Sequence, residues 1–178
     1  MIVHETGGSY EKLPTGMQPA VCTRVFDLGM QPGYEGKPQH KLIIMFELAE
    51  RKTEGEFAGK RFLASRSYTA SLNEKANLRK DLESWRGRPF TTDELTGFDL
   101  DAVVGINCNL NMVEVSKGEK TYVNIAAIVP TIKGQEHLEC ETPADYTPEW
   151  IQRMLGTVND GYTSTTMDGP PADDTIPF

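Results

Sequence analysis

The sequence is poor in cysteine, with Cys22, Cys108 and Cys140 as an odd, widely spaced set in 178 residues. That argues against a disulfide framework and for a reducing compartment. It has no apolar run near the ~18 residues that a membrane span needs. The opening segment, Met1 to Tyr10, lacks the basic-then-apolar order of a secretory signal, and no internal repeat is visible. A soluble cytoplasmic protein is expected, of one ordinary domain plus an appendage. Basic charge is nearly missing from the last quarter, where residues 134–178 hold one base (Arg153) against nine acids. Residues 1–133 hold seventeen bases and seventeen acids, so the net charge of −8 lies wholly in that last quarter. Between Lys60 and Arg88 eight bases stand against three acids. A neutral body with a basic middle and an acidic tail points to nucleic acid.

Residues 1–15 read as an irregular arm. Strand patterns follow over Met17 to Leu28, His40 to Leu48 (apolar on both parities in its middle) and Arg61 to Thr69. Gly29 to Pro38 and Arg51 to Lys60 are glycine-bearing loops between them. Leu72, Ala76, Leu78, Leu82 and Trp85 then fall on one helical stripe. Ser71 with Glu74 offers a capping box, and Gly87 a stop. Thr92 to Leu95 suits a single turn. Val104 to Met112 alternates as a fourth strand, and Lys120 to Val129 makes a fifth, closed by Pro130.

Three strands, a helix and two strands predict a mainly β fold, a five-stranded OB-fold barrel with the helix between strands three and four. Residues 16–133 form this domain. An extension over 134–157 carries a short helix opened by Thr147-Pro148-Glu149, with Trp150, Ile151, Met154 and Leu155 as its stripe. That stripe is expected to dock on the barrel, or on a neighbouring subunit in a homo-oligomer. Residues 158–178 have the composition of a disordered acidic tail.

Single-strand binding needs aromatic faces for the bases and cations for the phosphates. The candidates are Lys60, Phe62, Arg66 and Tyr68 on the parity of strand three taken as outward. Lys41 on strand two, Tyr34 and Lys37 in the first loop, Lys117 and Lys120 about the last turn, and Tyr122 beside it complete the set. The opposite orientation, with Phe62 and Tyr68 inside, stays open because Leu63 opposes Phe62. In the tail, Asp173 and Asp174 precede Ile176, Pro177 and Phe178, acids followed by an apolar tip that suits docking into a basic-rimmed pocket.

Enzymatic readings fare poorly. Gly55 to Lys60 lacks the first glycine of a phosphate loop and has Arg61 where Ser or Thr is required. His137 and Cys140 are two metal-ligand types with no second pair. Asp99 and Asp101 could serve a nuclease but sit in a turn. No catalytic residue, metal or cofactor is expected.

Two resemblances add to this. Asp173-Asp174-Thr175-Ile176-Pro177-Phe178 resembles the C-terminal tip of bacterial single-stranded-DNA-binding proteins, which recruits replication and repair enzymes; Thr175 among the acids is the one departure. Ser67 to Leu72, Glu74 to Leu82, Ser84 to Gly87, Gly97 to Leu100 and Tyr122 to Ile125 resemble a phage-encoded OB-fold family of single-stranded-DNA-binding replication proteins. The resemblance implies coating of DNA strands in replication or recombination, in the host cytoplasm, with replication or repair proteins as partners. The alternative reading is an OB-fold adaptor that binds proteins and no DNA.

Overall fold

All five segments with strand patterns contribute to one antiparallel sheet. The computed structural model describes residues 11–157. It contains β1 (Gly16–Pro32), β2 (Pro38–Arg51), β3 (Arg61–Thr69), β4 (Asn107–Lys117) and β5 (Lys120–Val129). The helices are α1 (Asn77–Arg86) and α2 (Thr92–Leu95), between β3 and β4, and α3 (Glu149–Thr157) near the end.

The strand order is β3-β2-β1-β4-β5. Long β1 makes this possible. From Gly16 to Val21 it pairs with β4, and from Ala20 onward with β2, with register shifts at Cys22/Arg24 and Asp27/Gly29. Bulges of this kind bend a strand and increase its twist. The predicted closed barrel is not formed, because the edge strands β3 and β5 share no ladder. Arg66 bridges the edges instead, its Nη1 donating to the Ile125 carbonyl at 2.8 Å.

One face of the sheet and α1 enclose the main core. Leu42, Ile44, Phe46 and Leu48 of β2 meet Phe62, Ala64 and Tyr68 of β3, together with Leu78, Leu82 and Trp85 of the helix. Phe46 and Trp85 have ring centroids 5.5 Å apart, and the indole N–H donates to the Asn107 carbonyl at 3.0 Å. A buried indole is best kept when its polar end is satisfied in this way.

Three local expectations are corrected. The main helix begins at Asn77, not near Ser71. Ser71 Oγ accepts from the Asn73 N–H, and Asn73 Oδ1 from the Lys75 N–H, at 3.1 and 3.2 Å. Such short-range bonds offer the backbone an alternative to the helix. The capping box occurs instead on α2, between Thr91 and Glu94. The fourth strand starts at Asn107, because Leu100–Val103 form a 3₁₀ turn whose cap, Asp99, accepts from the Asp101 N–H at 3.0 Å.

The opposite face of the sheet is covered too. Phe26 and Leu28 of β1 with Ile43 and Met45 of β2 form a second cluster against Ile151, which is fully buried. The short helix therefore docks on this chain's own sheet. Ahead of it, residues 138–147 cross the same side. Asn107 exchanges two hydrogen bonds with Leu138, Arg51 and Arg61 hold Glu141, and Arg24 Nη1 donates to Tyr146 and Thr147.

Candidate nucleic-acid interface

The residues expected to bind DNA divide into those the core has taken and those left at hairpin tips. Phe62 and Tyr68 are 3% and 0% exposed, so the parity of β3 taken as outward is the inward one. Both rings fill the main core and present no face to a base, which corrects their assignment. The reason lies in α1: its apolar stripe needs a facing layer, and Phe62, Ala64 and Tyr68 supply it. The Tyr68 hydroxyl donates to Asp81 Oδ2 at 2.6 Å, and Arg66 Nε lies 3.3 Å from the same oxygen. Burial raises the Asp81 pKa despite the neighbouring Arg66 and the Tyr68 hydrogen bond. Arg66 thus ties β3, α1 and β5 together, and its cation is already matched.

Lys41 is also removed from the surface. It is 8% exposed, and its ammonium donates to Thr69 Oγ1 at 2.9 Å. Farther along the same face of β2 stands Glu47, 1% exposed. Its carboxylate accepts from Arg61 Nη1, from the backbone N–H groups of Glu141 and Thr142, and from the Thr142 hydroxyl. Burial pushes this carboxyl up, but the donors from Thr142, Glu141 and Arg61 outweigh it, and its pKa lies below the ordinary value. The outer face of β1–β3 is therefore closed by the C-terminal extension, with a buried acid at its centre.

The remaining candidates gather at turns. Tyr34 is 69% exposed at the β1–β2 tip, with exposed Lys37 three residues on. The tip closes through Gly33 N–H to the Lys37 carbonyl at 2.9 Å, and the Lys37 N–H donates back to Tyr34 at 3.2 Å. A Cβ on Gly33 would sit 2.5 Å from the Lys37 oxygen, so only glycine fits this closure. At the β4–β5 tip, Lys117 and Lys120 are register partners, both exposed, with half-buried Tyr122 opposite Val115. Like charges placed directly opposite each other repel, and an anion between them relieves that repulsion. Neither lysine forms an ion pair among the described residues. Lys60 is exposed at the β2–β3 tip.

Sequence reading missed a ring at that same tip. Phe57 is 42% exposed, with Lys52 Nζ 5.2 Å and Lys60 Nζ 5.5 Å from its centroid. The available signal was an aromatic between two lysines in a glycine-bearing loop.

An apolar pocket of about 330 Å³ lies elsewhere, between α1 and the approach to β4, lined by Leu82, Trp85, Phe98, Val103 and Ile106 with Arg86. Among the described residues no three His, Cys, Asp or Glu gather as a metal site would require, and no helix is long and apolar enough to cross a membrane. Cys22 and Cys108 are buried, and burial raises the Cys22 thiol to about 12. Asp173, Asp174, Ile176, Pro177 and Phe178 lie outside the described residues. No protein-family model matches the chain, and no curated protein matches it.

Proposed function

We propose that this chain binds single-stranded DNA with little sequence preference, through an OB-type sheet whose hairpin tips meet the ligand. The observation that carries the reading is the pairing of a ring with unmatched lysines at the tips: Tyr34 with Lys37, and Tyr122 with Lys117 and Lys120. Bases stack on such rings, and ammonium groups follow the phosphates. The strand order β3-β2-β1-β4-β5, with α1 between β3 and β4, supports an OB-type arrangement, and Arg66 joins the two edges that a closed barrel would pair. The covered outer face of β1–β3 moves the interface to the tips. In this reading the protein protects strands during replication or recombination. The acidic segment ending in Asp173 to Phe178 recruits the replication or repair partner.

A protein-binding adaptor is the second reading, favoured by the apolar pocket and by Val104 and Ile106 beside it, 41% and 50% exposed. Exposed apolar patches of this kind mark interaction sites. Titration of poly-dT and of duplex at two salt concentrations separates the two. Tight, salt-sensitive binding of poly-dT supports the first reading, and no binding at low salt leaves the adaptor.

A further inference from the structure

We propose that the β2–β3 hairpin tip is a base-stacking subsite in which Phe57 takes an unpaired nucleobase while the exposed Lys60 moves onto a flanking phosphate. The proposal rests on the single-strand reading above and adds a site to it.

The loop is built to hold its ring in place. Lys52 N–H donates to the Lys60 carbonyl at 2.9 Å, and Gly59 N–H returns to Lys52 at 2.7 Å. Inside that frame Ala58 N–H reaches Gly55 and Lys60 N–H reaches Phe57. Gly55 and Gly59 take φ values of 78° and 85°, left-handed positions where a side chain is strained. Two outside groups tether the loop. Arg51 Nη1 donates to the Gly59 carbonyl at 3.0 Å, and the Glu11 carboxylate accepts from Thr53 N–H, Thr53 Oγ1 and Glu54 N–H.

Phe57 belongs to neither apolar cluster, so its ring contributes little to either core. Its neighbours are the ammonium groups of Lys60 and of Lys52, the latter also 5.8 Å from the Phe62 centroid and near the Glu11 carboxylate, and neither lysine forms an ion pair within 4 Å among the described residues. A cation over an exposed ring is held weakly, and a base stacked on the same ring is held more firmly. A base therefore displaces an ammonium, which is then free to meet the phosphate beside it. The ligand must be unpaired, because duplex bases already stack on one another. Glu54 and Glu56 flank the ring in sequence, so no long phosphate track crosses this tip. Stacking, and not charge, carries the subsite.

The test titrates the full chain with oligo-dT across a salt series, using the wild type, Phe57→Ala, Phe57→Leu, Phe57→Trp and Lys117→Ala. Phe57→Ala and Phe57→Leu are expected to weaken binding about 5- to 100-fold, with the salt slope reduced by no more than the ~0.7 of one lysine contact. Phe57→Trp is expected to keep affinity and add an indole emission that oligo-dT quenches. Wild-type affinity in Phe57→Leu, with Lys117→Ala still weakened, overturns the subsite and leaves the single-strand reading standing. A wild type that binds no oligo-dT overturns both.

Discussion

Thr142 donates both its backbone N–H and its hydroxyl to one oxygen, Oε2 of Glu47, at 2.8 and 2.6 Å, across 95 positions of sequence. The acid stands on β2 and the threonine on the extension, so this contact pins one to the other. Arg61 and the Glu141 N–H complete the set of donors. A buried carboxylate is tolerated when its lone pairs are this fully used, and its removal leaves the donors unmatched.

Glu47→Ala is accordingly expected to cost about 3–5 kcal/mol in denaturant unfolding, because Arg61, the Glu141 and Thr142 N–H groups and the Thr142 hydroxyl lose their shared acceptor together. The pH dependence has a definite sign. The folded state holds this carboxyl below its ordinary 4.5, so its contribution is present above that value and is lost as pH falls through the lower folded value. Wild-type stability should decline below about pH 4.5, and Glu47→Gln should decline less. Parallel profiles for the two proteins would contradict the clamp.

Phe62→Ala and Tyr68→Phe should act on stability and leave the proposed DNA contacts in place. The first opens a cavity in the core and is expected to cost about 3–5 kcal/mol. The second takes the phenol from Asp81 and is expected to cost about 1–3 kcal/mol. Folded Tyr68→Phe should bind oligo-dT as the wild type does. A tenfold loss of affinity in that variant would place the ring at the interface after all.

Salt dependence should reflect the lysines that remain free. Lys37, Lys60, Lys117 and Lys120 are exposed, whereas Lys41 and Arg66 are engaged inside the fold. At about −0.7 per contact on a single strand, four phosphate contacts give a log–log slope of about −3. Lys41→Met should leave that slope unchanged, and Lys120→Met should reduce it by about 0.7.

Helix α3 has nine residues, too few to persist alone in water. Its order comes from Ile151, seated among Phe26, Leu28, Ile43 and Met45. Ile151→Ala is expected to cost about 2–5 kcal/mol and to shift Trp150 emission to the red. Emission identical to the wild type would show that α3 is held by other contacts.

Much of this was legible in the sequence. The limits of β3 and β5 follow from their strand-like composition and their bounding turns, and Gly87 stops α1 at a φ of 72°. The apolar double parity of His40 to Leu48 was the trace of a strand buried on both faces. The docking of the α3 stripe on the sheet was legible, but the course of residues 138–147 over the second face was not, because residues 134–148 carry no period and the charge on Glu47 suggests solvent. Strand three misled for a related reason. Arg66 shares the inward parity with Phe62 and Tyr68, and its partner Asp81 sits thirteen residues beyond Tyr68 on a helix. A cation matched inside the fold reads in one dimension like a cation in water. The candidate interface suffered most, since a ring outside both apolar clusters, such as Phe57, leaves no periodic signal.

The closure of the outer face by the extension has a consequence for synthesis. While the ribosome has delivered the chain only as far as Lys133, Phe26, Leu28, Ile43 and Met45 have no Ile151 to cover them, and the Glu47 carboxylate has no Thr142. A nascent sheet in that state offers an apolar surface to any neighbouring chain, the condition in which aggregation competes with folding. A gene cut at that point, however natural the boundary looks in composition, should give a product that collects in the insoluble fraction, and supplying residues 134–157 as a separate peptide during refolding should recover part of it.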